Sequence, residues 1–223
     1  MNFEHARANM IEQQIRPWDV LDQRVLDALA ELPRERFLPE EHKGLAYSDT
    51  RIPLGNGRYS LNPNIEARLL QAAVLDPDDR TLIIGCGSGY LAACAAKMCK
   101  HVESIDTQEA VNNEAQEKAN ECGIDNIKFF TGADLIADLP DKTSYDAIIV
   151  NGSMPHIPER LKTRLTLSGR LIITVGDESE PSMETFVIRR IGDSDWLEQS
   201  VLDTHIPSLL QAQKTTSDDS FVF

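Results

Sequence analysis

The spacing of hydrophobic and polar positions changes character along the chain. Val20, Leu21, Val25, Leu26 and Leu29 recur at three- and four-residue intervals, which predicts one apolar stripe on a helix that ends before Pro33. From Pro39 to Pro63 no period holds, and Pro53, Gly55, Gly57 and Pro63 mark loops and turns. A helical pattern resumes from Ile65 to Val74. After Asp76-Pro77-Asp78-Asp79, short apolar runs alternate with helical segments. The runs are Thr81–Ile84, Val102–Ile105, Ile127–Thr131, Ala147–Val150 and Leu171–Val175, and runs this short and apolar suit strands buried on both faces. Between them, Leu91–Cys99, Gln108–Cys122 and Pro158–Leu165 each suit a crossover helix. Such alternation predicts a parallel sheet with right-handed crossovers. Phe186–Arg190 and Trp196–Leu202 flank Gly192-Asp193 as a closing antiparallel pair. The expected fold is therefore a doubly wound, mostly parallel seven-stranded α/β sheet with N-terminal helices. With no repeat and no linker, one domain is expected over 1–223: N-terminal helices and a loop over 1–75, an α/β core over 76–210, and a polar tail over 211–223.

Composition narrows the partners. The chain has 22 basic and 36 acidic residues, a net charge of −14. That surface repels a phosphate backbone and shows no basic patch, which argues against nucleic acid. Met1–Met10 has no apolar core of a signal peptide, and no apolar run approaches the roughly 18 residues that span a bilayer. Cys86, Cys94, Cys99 and Cys122 lack the paired spacing of a zinc site and read as free thiols in a reducing compartment. The expectation is a cytoplasmic monomer without a membrane partner. No metal is expected either: His156 has no second histidine at ligand spacing, and Pro158 behind it marks a helix start.

Chemistry concentrates where Thr81-Leu82-Ile83-Ile84 runs into Gly85-Cys86-Gly87-Ser88-Gly89 and then a helix. Glycines at alternating positions let the backbone turn off a strand and admit a ligand against the main chain. The helix that follows points its first amides into the same crevice, where open α/β sheets bind ligands. The bland alternative is a tight strand–helix turn that binds nothing. A dinucleotide fingerprint wants its third glycine at position 90, where Tyr90 stands. A P-loop fails for want of Gly-Lys-Ser/Thr. Asp106 closes the second strand, with Thr107 beside it. Its carboxylate suits a ribose diol, and it suits equally well the N-cap of the next helix, with Glu109 as partner.

Gly-x-Gly-x-Gly resembles the first motif of class I methyltransferases, which bind S-adenosylmethionine. Further stretches resemble the protein-L-isoaspartate O-methyltransferase family. They are Met10-Ile11-Glu12-Gln13-Gln14-Ile15-Arg16, Leu32-Pro33-Arg34-Glu35-Arg36-Phe37-Leu38-Pro39, Leu45-Ala46-Tyr47, Ile52-Pro53-Leu54-Gly55, Tyr145-Asp146-Ala147-Ile148-Ile149-Val150 and Leu167-Ser168-Gly169-Arg170-Leu171. The resemblance covers most of the chain and thins after Gly176. It implies a Rossmann-like class I methyltransferase that esterifies the α-carboxylate of isoaspartyl residues in damaged proteins. A protein or peptide bearing isoaspartate is the implied partner. It also implies that Gly85, Cys86, Gly87, Ser88, Gly89, Asp106 and Thr107 hold the cofactor, with Asn151 bordering the transfer site beyond the fourth strand.

Three departures qualify this. The family's Gly-x-Thr-Ile-Ser-x-Pro loop, whose serine meets the substrate carboxylate, reads here Gly57-Arg58-Tyr59-Ser60-Leu61-Asn62-Pro63. Leu61 takes the serine position, and Ser60 sits one residue early, a step that turns a side chain to the opposite face of an extended loop. Arg58 and Tyr59 are substitute donors; a solvated loop charge is the plain alternative for Arg58. Ile83 replaces an acid that helps organise the methionine end of the cofactor. Ala133 takes the place of an aspartate that meets the adenine amine, with Asp134 following directly. The rival readings are a methyltransferase with another acceptor, a cofactor-binding protein without catalysis, and a diverged Rossmann oxidoreductase.

Overall fold

A computed structural model describes residues 2–140 and 143–209. The N-terminal region holds α1 (Phe3–Met10), a π-helical turn (Ile11–Ile15) and α2 (Gln23–Glu31). It then forms a small hairpin of β1 (Pro53–Gly55) and β2 (Arg58–Tyr59), followed by α3 (Pro63–Ala73). The core alternates β3 (Arg80–Ile84), α4 (Tyr90–Ala96), β4 (His101–Asp106), α5 (Glu109–Glu121) and β5 (Ile127–Thr131). It continues with β6 (Tyr145–Met154), α6 (Glu159–Thr163), β7 (Leu165–Val175), β8 (Met183–Arg190) and β9 (Trp196–Thr204).

The large sheet has the order β5-β4-β3-β6-β7-β8-β9. Its first five strands run parallel, and β8 and β9 close it as an antiparallel meander. The chain leaves β3 towards β4 and β5, then returns to β3's other side as β6. That reversal opens a crevice beyond the carboxyl ends of β3, β4 and β6, where doubly wound sheets take their ligands.

Side-chain alternation explains why β3, β6 and β7 carry continuous apolar runs. Ile83, Ala147, Ile149 and Ile172 face the cluster that contains Leu29, Leu69 and Leu91 from the helices. Leu82, Ile84, Ile148, Val150, Leu171 and Ile173 face the opposite cluster, with Leu161 of α6. Both faces are covered, so neither needs polar residues. The N-terminal helices share the first cluster with the sheet.

Two expectations need correction. Leu21 is 69% exposed and precedes α2, whose first turn is capped by the Asp22 carboxylate accepting from Arg24 N at 2.9 Å. The apolar stripe therefore starts at Val25. The fourth core strand continues past Val150 to Met154, because Ser153 pairs with Thr174 of β7 and bridges to Ser208. The polar tail from Gln211 to Ser220 lies outside the described residues.

Candidate active site

The turn after β3 is built from backbone. Gly85 and Gly87 have φ of +86° and +59°, and both line a cavity of about 200 Å³. A water needs only about 10–15 Å³ of such space, so the hollow has room for a small molecule. A Cβ on Gly87 would stand 2.8 Å from Asn151 Nδ2, and one on Gly85 would stand 2.5 Å from Leu209 Cδ2. Side chains at either position would fill the hollow or push its walls apart. Tyr90, where a dinucleotide site wants glycine, is buried, with its ring edge-to-face on Phe37 at 5.4 Å.

Asp106 is 9% exposed and lines the same cavity with Thr107. Its Oδ2 accepts from Cys86 N at 3.0 Å and its Oδ1 from Gln108 N at 3.2 Å. One side chain thus joins the glycine loop to the entry of α5. Each oxygen keeps a further lone pair for a ligand. Ribose grip and helix-entry contact are compatible here, although the N-cap itself is Gln108. Cys86, Ser88 and Gly89 shape the loop from behind the cavity. Burial pushes the Cys86 thiol up, and the Ser88 hydroxyl accepts from Tyr90 N at 3.3 Å. Asn151, on β6, donates from Nδ2 to Gly85 O at 3.0 Å and lines the cavity.

The opposite wall comes from the hairpin. Gly55, Asn56 and Gly57 all take positive φ and turn the chain so that Arg58 and Tyr59 border the cavity. Arg58 Nη1 donates to Gly87 O at 3.4 Å, which brings this loop to the glycine turn. Tyr59 is 49% exposed at the mouth. Ser60 points away: it is 3% exposed and its hydroxyl accepts from Ile52 N at 3.0 Å and from Arg34 Nη2 at 3.4 Å. Leu61 lines the cavity, and its carbonyl accepts from Arg34 Nη2 at 2.8 Å. Behind the loop, Arg34 pairs with Glu66 at 3.0 Å and donates to Ala46 O at 2.7 Å. Its guanidinium also lies 5.6 Å from the Tyr90 ring centre.

Ala133 and Asp134 are exposed and do not line this cavity. Asp134 Oδ1 accepts from Ala137 N and Ile136 N, both at 2.8 Å, and these amides hold its carboxyl below the usual range. The next residue, Leu135, takes the place at the wall.

A third wall of the cavity leaves no signal in the local sequence. Residues 205–209 cross the crevice: Ser153 N donates to Pro207 O at 2.9 Å, and Leu209 N donates to Ser153 O at 3.1 Å. Arg51 holds this strap through His205, and Glu178 Oε1 accepts from Ser208 N at 2.5 Å. Arg51, Glu178 and Leu209 all border the cavity. No spacing rule announces such a segment, since its contacts join residues far apart in the chain.

Residues 5–206 match the family described as protein-L-isoaspartate(D-aspartate) O-methyltransferase. The chain belongs to this family. A protein-L-isoaspartate O-methyltransferase from Roseiflexus castenholzii is 38% identical over 194 residues, 87% of each chain. One from Rhodopseudomonas palustris strain CGA009 is 34% identical over 92% of this chain and 93% of its own. A Plasmodium falciparum structure bearing the same enzyme name superposes with a TM-score of 0.77, covering 94% of this chain and 98% of its own at 23% identity, a likeness of fold. The chain is accordingly an S-adenosylmethionine-dependent methyltransferase. The residues present fit that cofactor: a glycine cradle that a Cβ would fill, the Asp106 carboxylate beside it, and a buried Asn151 Oδ1 with no partner among the described residues.

Proposed function

We propose that the chain methylates the free α-carboxylate of isoaspartyl residues in damaged proteins. The observation that carries this reading is a cavity in which the glycine loop and Asp106 face Arg58 and Leu61 across the strand ends. When bound, S-adenosylmethionine supplies the electrophilic methyl group and a neutral thioether leaving group. Asp106 and Thr107 hold the ribose, and Asn151 with Gly85 and Gly87 receives the methionine end.

The acceptor asks little proton chemistry of the protein. A carboxylate with an ordinary pKa near 4 is ionised at neutral pH and needs no base. In keeping with that, no histidine, lysine or cysteine lines the described cavity. The protein instead has to bind, align and exclude water. Arg58 supplies the cation for the acceptor carboxylate, because its Nε is buried beside the glycine turn without a partner among the described residues. Tyr59 guards the mouth, and the side chains of Leu61, Leu135, Pro207 and Leu209 keep the transfer site dry. The four unpaired cysteines support a cytoplasmic setting.

Transfer of a labelled methyl group to an isoaspartyl peptide, against its aspartyl isomer, tests the proposal. Methylation of the isoaspartyl form alone is expected. Leu61 favours one second reading, a methyltransferase for another acceptor. Cofactor binding with no transfer to either peptide is the result that would select it.

A further inference from the structure

Asn151 stands on the β6 side of the glycine turn. Its Nδ2 donates to Gly85 O at 3.0 Å. Of the two ends of a carboxamide only the amino end can donate to a carbonyl, so this bond assigns the oxygen to the other side. That other end, Oδ1, is buried without a partner among the described residues. A buried acceptor left unpaired costs about 1–3 kcal/mol, a penalty that a ligand's donor removes. The residue lines the cavity beside Gly85 and Gly87, so a ligand resting on the glycine turn is within its neighbourhood.

Strand order and charge together say which donor that is. The sheet runs β5-β4-β3-β6, with Asp106 at the end of β4 and Asn151 on β6, on opposite sides of the β3 turn. A cofactor whose ribose is held at Asp106 and that lies across the β3 turn extends one of its two arms to β6, and of its two amino groups the charged α-ammonium is the one that gains most from a buried acceptor. We infer that Asn151 Oδ1 receives the α-ammonium of the cofactor's methionine moiety and is a principal determinant of cofactor affinity. The inference rests on cofactor binding in this cavity and is independent of the acceptor.

Calorimetry with S-adenosylhomocysteine and its analogue lacking the α-amino group tests it, with no turnover required. A hydrogen bond to a charged group corresponds to a preference of roughly 10- to 100-fold for the aminated compound in the native chain. Asn151→Leu should bind both compounds alike. Asn151→Asp, which keeps an acceptor and adds charge, should prefer the aminated one at least as strongly as the native chain does. A native chain that binds the two equally overturns the inference without any variant. So does Asn151→Leu retaining the native preference or, should that variant not fold, Asn151→Asp losing it. If the native chain binds neither compound, the cofactor site itself is refuted, a separate outcome.

Discussion

Arg34 touches no part of the cavity directly, yet its loss should be among the most damaging single changes to the chain. Its side chain is 1% exposed, and that of its partner Glu66 is 4% exposed, with Nε 3.0 Å from Oε2. Arg34→Met keeps an unbranched stem and removes the cation. Four acceptors then lose a donor together: the Glu66 carboxylate, the Ser60 hydroxyl, Ala46 O and Leu61 O. Removing one member of a buried ion pair costs about 3–5 kcal/mol. Each orphaned carbonyl adds about 1–3 kcal/mol unless water reaches it. A loss of about 5 kcal/mol follows when water rescues the carbonyls. At ~2–4 °C per kcal/mol for a chain of this size, Tm falls by roughly 10–20 °C.

The pH dependence separates the ion pair from mere packing. Burial raises Glu66 above the ordinary carboxylate range, and the Arg34 charge pulls it only part of the way back. A carboxyl whose folded pKa is raised contributes stability that is complete below its unfolded value of about 4.3. That contribution is lost as pH climbs through the folded value. Removing Arg34 lifts the folded value further, so the deficit of Arg34→Met should be smallest near pH 4 and widen towards neutrality. Urea and thermal unfolding of the native chain, Arg34→Met, Glu66→Leu and the double variant complete the cycle. The double variant should be more stable than the sum of the singles by about 2 kcal/mol or more, as expected for residues in direct contact. Additivity within about 0.5 kcal/mol, or a deficit that does not change with pH, refutes the reasoning.

Three further outcomes are expected. Arg58→Ala should raise KM for an isoaspartyl peptide about tenfold or more, the share of a charge-assisted hydrogen bond, while calorimetric S-adenosylhomocysteine affinity changes little. Gly87→Ala places a Cβ 2.8 Å from Asn151 Nδ2 at a φ of +59°. It should weaken S-adenosylhomocysteine binding and lower stability by about 1 kcal/mol or more, read by calorimetry and urea unfolding; unchanged binding would show that the cradle is not used. Leu209→Ala loosens the strap over Gly85 and Gly152. It should raise KM and expose the site to water, which faster proteolysis after β9 would reveal.

Much of the fold was legible because its causes are local. Ile127–Thr131 is β5 to the residue, and the other four runs fall within β3, β4, β6 and β7; the central strands β3, β6 and β7 are legible because both their faces are covered. Pro158 marks the start of α6 as expected. The glycine loop and Asp106 were legible for the same reason, since a sharp turn and a strand-end acid leave a signature within a few residues. Leu21 misled because a helical period says nothing of where Asp22 will cap. The extension of β6 to Met154 was hidden, because Ser153 is recruited by Thr174 and Ser208 rather than by its own neighbours. Arg51, Glu178 and Leu209 were invisible for a similar reason: a strap that returns from the end of the chain carries no period.

The departures at Ile83 and Leu61 look like losses when the motifs are read alone. In three dimensions each is matched by a polar atom nearby in the cavity wall. Ile83 is fully buried in the helical cluster and offers nothing to a ligand, while Asn151 presents an unpartnered acceptor beside the same turn. Leu61 cannot donate, while Arg58, three residues earlier, presents an unpartnered donor. Among the cavity-lining residues described, Arg58 Nε and Asn151 Oδ1 are the buried side-chain polar atoms left without a protein partner. One wants an anion and the other a cation. A transfer between a carboxylate and an amino-acid-bearing sulfonium brings one of each to this cavity, so the unpaired atoms are intelligible together as the halves of one ternary complex. A dry, empty hollow would have had no reason to keep either.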